Sequence, residues 1–446
     1  MLKNVWITNF RSLENFELAI KPGLNALVGP NGAGKTSIIK WFEFLSLLGS
    51  YSLRESIGKI GGANHVFRRK GEKYSDQLSF ALRGETEVKY PYYSERQNNK
   101  SWFVYYEYNG TISVVKNQIF FSSQDTKLWI FKGKSARRNN YNESRPNIDV
   151  SWSYDIIEDK ISSKINLKKP YSLKADTIEA LNFNEKFLDE VLNTSSMLEN
   201  LIAPGQFLPI DFLHAIKSDI SFKKAYNINP NQVRSAIDIS SQPGVQFDGA
   251  GTVSTIYDIK SKETEGRNRY GINAVENKRD KTKFPKLINY FKLSDENIDN
   301  ISVSIDNFRN EFNLEVKYRD SSGHYNVPVF LLSDGTVKWL ALVTAISTER
   351  QSIFVEEPEN FLHPKLQESI VEIIREEVNS SSSERFAVIS THSETLLNKL
   401  KPDEIILISM NEGKTFSERV ADPDEISKII ADSGFGLGYF YVSGGF

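Results

Sequence analysis

Apolar runs separated by turn-forming residues open the chain. Two of them, Leu2–Thr8 and Phe16–Ile20, flank a turn, and a third, Leu24–Val28, leads into a glycine-rich segment. Residues 76–120 alternate apolar and polar positions, and residues 296–330 have a similar strand-like character. Because alternation with a period of two is typical of strands with one buried face, these stretches predict an antiparallel sheet beside the opening block and strands that return to it.

Helices are predicted at segments 37–48, 337–346 and 365–378, each next to the end of a candidate strand. Residues 174–240 have the spacing of several short amphipathic helices, and the basic, asparagine-rich residues 121–150 favour a solvated loop over a partner-binding site. No heptad pattern is sustained, so we expect no long coiled-coil arm.

A phosphate-binding loop is predicted directly after the third apolar run. The segment Gly29-Pro30-Asn31-Gly32-Ala33-Gly34-Lys35-Thr36-Ser37 contains a glycine, four residues and then Gly-Lys-Thr, between a buried strand and a helix. Glycines let successive backbone N–H groups face phosphate, Lys35 would supply charge to the β- and γ-phosphates, and the Thr36 hydroxyl would bind Mg²⁺. A chance glycine-rich turn is the alternative, and the flanking elements argue against it. The segment therefore predicts a site for ATP and Mg²⁺.

Two weaker motifs follow in the last third of the chain. In Leu332-Ser333-Asp334-Gly335-Thr336, Ser333 and Gly335 would offer a hydroxyl and backbone N–H groups to a γ-phosphate, although Ser-Asp-Gly is also ordinary helix capping. Glu356 and Glu357 end an apolar strand, as in a Walker B site, where the first carboxylate orients the Mg²⁺ shell and the second polarises the attacking water. An acidic strand end without function is the alternative, and Glu356 stands where aspartate is usual.

A third motif is the apolar strand 386–391, which ends at His392. Such a histidine would hydrogen-bond a γ-phosphate from the carboxyl edge of the sheet, although a lone histidine there is more often structural. The chain between Glu357 and His392 has room for a helix and a strand, as neighbouring parallel strands require. Each later motif is weak alone, and their order together with the P-loop predicts one nucleotide site.

Composition narrows the class of protein. With 446 residues, one large domain with an insertion, or two domains, is expected. The net charge of -2 argues against a wholly basic nucleic-acid coat, and the absence of cysteine excludes disulfides and thiolate metal sites. No apolar run approaches the roughly 20 residues of a membrane span, and no signal pattern opens the chain, so a cytoplasmic protein is expected.

These motifs, with Asn9-Phe10-Arg11-Ser12-Leu13 and the stretch 247–259, resemble the OLD/RecF-like branch of ABC ATPases. The resemblance implies a P-loop ABC-type ATPase head, an α/β fold with a mixed sheet and flanking helices, interrupted by a long α+β insertion. We expect the head at residues 1–50 and 240–446, including the antiparallel strands 76–120, and a mainly helical insertion at 121–240.

The same resemblance implies a homodimer or higher homo-oligomer in which ATP lies between one subunit's P-loop and the Ser333 segment of the other. It places Lys35 and Thr36 on phosphate and Mg²⁺, Glu356 near the metal, Glu357 as catalytic base and His392 as γ-phosphate sensor. Arg11 is expected to approach the nucleotide, and His363 falls in the D-loop that faces the partner's site. Gln77 is a poor candidate for a Q-loop glutamine.

OLD proteins continue into a Toprim nuclease domain with an Asp-x-Asp metal pair. Asp422-Pro423-Asp424 fits that pattern formally, but too few residues follow His392 for such a domain. Stand-alone ATPases of this kind are typically one half of bacterial anti-phage systems, such as the ATPase component of PARIS and the Septu-like and retron ATPases. The resemblance thus implies a sensor or scaffold subunit that controls a separate effector, a nuclease, with DNA or a phage protein as trigger and no membrane.

Two alternatives belong to other classes. A RecF-like repair ATPase would bind DNA in a salt-dependent way through residues such as Arg68, Arg69, Arg137 and Arg138. An ABC transporter cassette is disfavoured by the Phe10-Arg11-Ser12 opening and the large insertion.

Overall fold

The computed structural model describes residues 1–88, 102–132, 148–157, 160–168, 210–220, 225–264, 282–349, 351–380 and 384–444. The strands in these ranges are β1 Leu2–Thr8, β2 Phe16–Ala19, β3 Gly23–Val28, β4 Arg69–Lys70, β5 Lys73–Tyr74, β6 Gln77–Val88, β7 Trp102–Val115, β8 Gln118–Lys132, β9 Ile148–Ile157, β10 Lys160–Lys168, β11 Ala225–Tyr226, β12 Ile298–Asp306, β13 Glu311–Asp320, β14 Gly323–Pro328, β15 Ile353–Glu356, β16 Phe386–Thr391, β17 Ile405–Asn411 and β18 Lys414–Arg419. The α-helices are α1 Lys35–Leu48, α2 Leu53–Lys59, α3 Ile210–Ile220, α4 Pro230–Arg234, α5 Thr252–Thr264, α6 Lys283–Lys292, α7 Asp334–Thr348, α8 Pro364–Asn379, α9 Glu394–Leu397, α10 Pro423–Ser433 and α11 Leu437–Val442.

A six-stranded mixed sheet in the order β11-β15-β16-β3-β17-β18 carries the predicted motifs. Its strands are parallel except for β18, which is antiparallel to β17. The inner strands β3 and β16 are apolar and buried almost throughout, as expected for strands covered on both faces. Because β3, β15 and β16 run in one direction, the chain segments that follow them all emerge at the same edge of the sheet.

Two hydrophobic cores cover the two faces of this sheet. Successive residues of β3 point to opposite sides, so Leu27 joins one core and Ala26 and Val28 join the other. The first core holds α1, whose Trp41 and Phe44 pack with Phe10 at ring-centroid distances of 5.3 and 5.8 Å. The second core holds α7 and α8, which are apolar along their inner faces. The sheet is therefore held between two helical layers, and its carboxyl edge is left for the loops.

A second, antiparallel sheet has the order β10-β9-β8-β7-β6-β1-β2 and packs on the outer side of α1. It confirms the antiparallel strands predicted at 76–120 and the pairing of the first two runs. Strands β12 to β14 form a third, antiparallel sheet, as predicted for 296–330. The structure thus confirms a P-loop ATPase fold of the α/β class with a mixed sheet.

One sequence prediction is wrong in the described part of the chain. Residues 121–240 were expected to be mainly helical, with a solvated loop at 121–150, but β8, β9 and β10 extend the antiparallel sheet as far as Lys168. β10 alternates apolar residues with lysine, serine and asparagine, but β8 has consecutive apolar and consecutive polar residues, which obscure the alternation. Residues 133–147 and 169–209, which include Arg137 and Arg138, lie outside the described residues. The domain boundaries themselves stay a prediction.

Within the described ranges, no helix is both long and apolar enough to cross a membrane.

Candidate nucleotide site

The P-loop turns out of β3 and into α1 on glycines. Gly32 and Gly34 have φ of 81° and 103°, values that residues with a side chain rarely adopt. Gly34 is also packed so closely that a Cβ there would overlap Oγ1 of Thr415, and a Cβ on Gly29 would overlap the carbonyl of Ile408. The loop therefore needs glycine for its backbone angles and for its close approach to the β17–β18 hairpin.

Lys35 begins α1 and lies folded over the loop. Its Nζ donates to the carbonyls of Gly29 and Pro30 at 2.7 and 3.0 Å. Burial lowers the pKa of Lys35, and the carboxylates of Glu357, Glu359 and Glu356 act in the opposite direction. A buried ammonium that donates to two carbonyls, with three carboxylates nearby, is suited to meet the negative charge of phosphate.

Thr36 and Glu356 meet at the carboxyl edge of the sheet. The Thr36 hydroxyl donates to Oε1 of Glu356 at 2.5 Å, and Nδ2 of Asn227 approaches Oε2 of the same carboxylate at 3.4 Å. Mg²⁺ in nucleotide sites takes one or two protein oxygens and completes its shell with water and phosphate. A hydroxyl and a carboxylate beside a P-loop fit that ion, and the longer arm of glutamate still reaches Thr36.

Glu357 follows β15 in a left-handed conformation, with φ of 45°. Its backbone N–H donates to the carbonyl and to Oγ of Ser390 on β16, at 3.1 and 3.3 Å. Asn360 donates to Oε2 of the Glu357 carboxylate at 2.9 Å. Such a conformation costs a non-glycine residue on the order of 1–3 kcal/mol and persists where neighbours enforce it, often at functional sites.

His392 lies beside Glu357, as the predicted order of strands requires. Its Nδ1 is 3.8 Å from Oε1 of Glu357 and 3.6 Å from Oε1 of Glu359. Glu359 also accepts the backbone N–H of His392 at 3.1 Å and the hydroxyl of Thr391 at 2.7 Å. The structure therefore brings together four predicted residues, Lys35, Glu356, Glu357 and His392, and adds Glu359 as their neighbour.

Ser333 caps helix α7, and its Oγ accepts the N–H of Thr336 at 3.2 Å. The capping interpretation is therefore correct, and it leaves the nucleotide role of Ser333 and Gly335 a prediction. The segment lies at the surface next to three apolar side chains, each more than half exposed, namely Phe330, Leu331 and Phe361. Gly335 packs so closely on the carbonyl of Phe361 that a Cβ would crowd it.

Arg11 reaches the rim of the site from the first strand pair. Its Nε donates to the carbonyl of His65 at 2.6 Å. Burial lowers the pKa of Arg11, while Glu43 and Glu356 act to raise it, so Arg11 lies within electrostatic reach of Glu356. Next to it, Ser12 donates to Oγ of Ser37 at 3.0 Å, which ties this turn to the start of α1.

Other sequence candidates have structural roles. His363 caps helix α8 through Nδ1, which accepts the N–H of Lys365 at 3.3 Å. Asp422 caps α10 by accepting the N–H of Glu425, which accounts for half of the Asp-x-Asp match. Gln77 begins β6 and is exposed, and it stays without an assigned role.

Sequence reasoning passed over Glu359, Asn360, Asn227, Thr415 and Lys338. Glu359 and Asn360 lie inside the motif that contains Glu357, and Lys338 is the one lysine among the mainly apolar residues 337–346, so a sequence signal exists for these three. Asn227 and Thr415 had none, because only the tertiary fold brings them to the site.

Two family models match the chain. One, described as an AAA domain, covers residues 5–206, and the other, described as an AAA domain, putative AbiEii toxin, Type IV TA system, covers residues 212–398. Each spans less than half of the chain.

Curated relatives are proteins named DNA replication and repair protein RecF. The chain is 54% identical to the one from Erwinia tasmaniensis over 39 residues, which are 9% of this chain and 11% of that protein. It is 28% identical to the one from Corynebacterium jeikeium over 87 residues, 20% of this chain and 19% of that protein. The matched part is thus a tenth to a fifth of the length of these relatives.

Among solved structures, similar chains include an Smc head bound to the C-winged helix domain of ScpA, with 12% identity, a TM-score of 0.48 and coverage of 94% of this chain and 97% of that one. Another is an Smc head domain with an extended coiled coil, bound to the C-terminal domain of ScpA and derived from Pyrococcus furiosus, with 14% identity, a TM-score of 0.44 and coverage of 97% and 99%. The site geometry and both family models agree on a P-loop nucleotide-binding domain similar to AAA domains, and the sequence is similar to RecF over a short part of its length.

Proposed function

We propose that this protein hydrolyses ATP at the carboxyl edge of its mixed sheet and uses the cycle as a switch. The observation that carries the proposal is the convergence of Lys35, the Thr36–Glu356 pair and the Glu357–His392 pair at one edge. In hydrolysis, Glu357 orients and polarises the attacking water, and the P-loop N–H groups and Lys35 neutralise the charge on the phosphates. His392 stands beside Glu357 to hydrogen-bond the γ-phosphate.

Thr36 and Glu356 are the residues that would hold Mg²⁺, which when bound would screen the phosphate charge. Asn227 keeps the second oxygen of Glu356 oriented. In this arrangement the two neighbouring carboxylates have different tasks, because one is tied to Thr36 and the other to Asn360.

The proposed switch closes as a head-to-tail homodimer, with ATP between the P-loop and Ser333 of the partner subunit. Two observations support this arrangement. Ser333 lies exposed on its own chain. The exposed apolar residues Phe330 and Leu331 precede it in the sequence, and the backbone of Phe361, whose side chain is also exposed, packs on Gly335. Exposed apolar residues beside a helix N-terminus are suited to a protein contact in which the helix also presents N–H groups to phosphate.

The direct test measures ATP turnover of the purified wild-type protein and of the Lys35→Ala variant, each with and without Mg²⁺. The proposal expects Mg²⁺-dependent release of phosphate and loss of nucleotide affinity in the variant. Equal phosphate release by the wild type and by Lys35→Ala would show that hydrolysis does not take place at this site.

For the cellular role, we propose a sensor or scaffold subunit in bacterial anti-phage defence that restrains a separate effector, a nuclease, until DNA or a phage protein triggers it. The support is the motif resemblance and the family model named for a putative AbiEii toxin, matched over residues 212–398. The role predicts a co-encoded protein that co-purifies with this chain. Unchanged phage sensitivity after deletion of the gene, together with no bound partner, would contradict it.

A RecF-like repair role is the second candidate, supported by the local identity to RecF proteins. It predicts salt-dependent DNA affinity. Arg68, one of the expected DNA contacts, is only 8% exposed, pairs with Glu14 at 3.2 Å and donates to the carbonyl of Gly413. DNA phosphates near Arg68 would therefore be contacted by its exposed neighbours Arg69 and Lys70. DNA binding that is lost when both are changed to glutamine would favour this role.

A further inference from the structure

A buried lysine lies behind the candidate site and has no part in the chemistry described so far. Lys338 is on α7, five positions after Ser333, and its side chain is 1% exposed. Its neighbours along the helix, Val337 and Trp339, belong to the apolar core. Because an ionised amine in such a place loses its hydration, a lysine here needs an explanation that an apolar residue would not.

The amine of Lys338 points at the loop that carries Glu357. Its Nζ donates to the backbone carbonyl of Glu357 at 3.2 Å and lies 5.8 Å from the ring centre of Phe361. Burial lowers the pKa of Lys338 to about 8, against the opposing charges of Glu359 and Glu357. The lysine thus contacts one carbonyl and one ring and lies within electrostatic reach of two carboxylates, all from residues 357–361.

Helix α7 and this loop are also packed together at the helix start. Gly335 sits against the carbonyl of Phe361, with no room for a Cβ. Glu357 and Phe361 both have positive φ, of 45° and 64°. A loop with two strained residues is held in shape by what it packs on, and here that support is the first two turns of α7.

Glu359 extends the same network to His392. This carboxylate is 6% exposed, and its Oε1 accepts from the backbone N–H of His392 and from Thr391. Within the described residues, no hydrogen bond reaches its other oxygen, Oε2. A buried carboxylate in this condition is stabilised by a nearby positive charge, and Lys338 supplies one.

We propose that Lys338 is a positioning residue that couples the Ser333 end of α7 to the hydrolytic residues of the same chain. Through the Glu357 carbonyl it sets the conformation of the catalytic carboxylate, and through Glu359 it sets the position of His392. Since Ser333 is proposed to contact ATP held by the other subunit, the lysine links the occupancy of one site to the geometry of the other. This inference rests on the proposed hydrolysis of ATP.

Lys338→Met tests the coupling, because methionine fills the space and removes the charge. The expected result is a fall in kcat of roughly tenfold to a hundredfold, as small misplacements of reacting groups produce, with KM for ATP changed less than about twofold. Lys338→Arg should recover part of kcat, since it restores a donor and a charge. Lys262→Met is the matched control, a lysine on the exposed side of α5, and should leave both constants unchanged.

Glu359→Gln and the double variant Glu359→Gln with Lys338→Met test whether Lys338 acts on turnover through Glu359. If both residues act on one network, the double variant loses about as much kcat as the worse single variant rather than the product of the two losses. A kcat for Lys338→Met within twofold of the wild type would overturn the inference. A joint loss of kcat, ATP affinity and melting temperature, without recovery in Lys338→Arg, would also overturn it, because that pattern belongs to a merely structural lysine.

The controls separate this inference from the proposed function. Wild-type protein that hydrolyses no ATP would refute both. Wild-type protein that hydrolyses ATP through Lys35 and Glu357, with no special loss in Lys338→Met, would refute the coupling alone.

Discussion

The two loops that face each other across the site are built in different ways. In the P-loop, the left-handed backbone angles fall on Gly32 and Gly34, so the backbone adopts them without strain and its own N–H groups carry the chemistry. In the loop after β15, such angles fall on Glu357 and Phe361, whose side chains are needed. That loop is held by Ser390, Asn360 and Lys338. One half of the site is therefore preformed by glycine and the other half by a network of side chains.

This difference predicts what each loop tolerates. A change in the P-loop should act through backbone geometry and abolish nucleotide binding. A change in the second loop should leave binding intact and act on turnover.

The largest effect is expected from Glu357→Gln. The amide keeps the size of the side chain but cannot polarise water, so turnover should fall by about 10²–10⁴-fold while ATP affinity remains. A closed dimer should accumulate with ATP, which light scattering after gel filtration would detect. Hydrolysis at the wild-type rate would show that Glu357 is not the catalytic base. It would also contradict the claim that the loop after β15 controls turnover.

Gly34→Ala tests the P-loop, the half of the site that glycine preforms. The added Cβ meets a φ of 103° and the Thr415 hydroxyl, so we expect a loss of stability of about 2 kcal/mol or more and little ATP binding. Gly58→Ala is the matched control, because no atom lies near its would-be Cβ and alanine favours the helix α2. Equal thermal denaturation and ATP titration curves for both variants would contradict the strain argument.

Lys338→Met tests the loop after β15 through the pH dependence of protein stability. In the folded protein the pKa of Lys338 is about 8 instead of 10.5, so the unfolded chain binds more protons between these values and the wild type gains stability as pH rises through them. The difference corresponds to about 3 kcal/mol of unfolding free energy. Relative to the variant, whose methionine does not titrate, the wild type should therefore gain about that much stability between neutral pH and about pH 10.

Urea denaturation across this pH range measures this gain. A stability difference between the two proteins that stays constant from neutral pH to about pH 10 would contradict a lysine that is buried and ionised in the folded protein. A variant that is more stable than the wild type near neutral pH but slower in turnover would show that Lys338 is kept for function at a cost in stability.

Asn360→Ala should have the smallest effect. It removes one hydrogen bond to the Glu357 carboxylate and leaves the backbone bonds to Ser390, so we expect kcat to fall by only several-fold, as the loss of about 1 kcal/mol implies. Steady-state kinetics with Asn379→Ala, at the end of α8, as control would measure it. A loss as large as that of Glu357→Gln would show that Asn360 does more than orient.

The contrast between the loops also explains what the sequence could predict. Gly32, Gly34 and Lys35 are predictable because a glycine-dependent loop must use glycine at fixed spacing, and β3, β15 and β16 follow from their largely apolar runs. Glu356, Glu357 and His392 were placed at one edge by the parallel-strand rule.

The rest depended on tertiary contacts. Asn227 and Thr415 reach the site from elements remote in sequence, and no local pattern marks them. The strands β8 to β10 were mistaken for helix and loop because their polar residues mask the alternation. Lys338 lies in the predicted helix 337–346, but the sequence does not show which carbonyl its amine meets.

The central claim is that each complete site uses the P-loop of one chain and the Ser333 segment of another. Lys35→Ala and Ser333→Arg proteins should each be inactive alone, because every site in either dimer lacks one half. Mixed in equal amounts, they form dimers that contain one intact site, so about a quarter of wild-type ATP turnover should return. A mixture as inactive as its components would contradict the shared site.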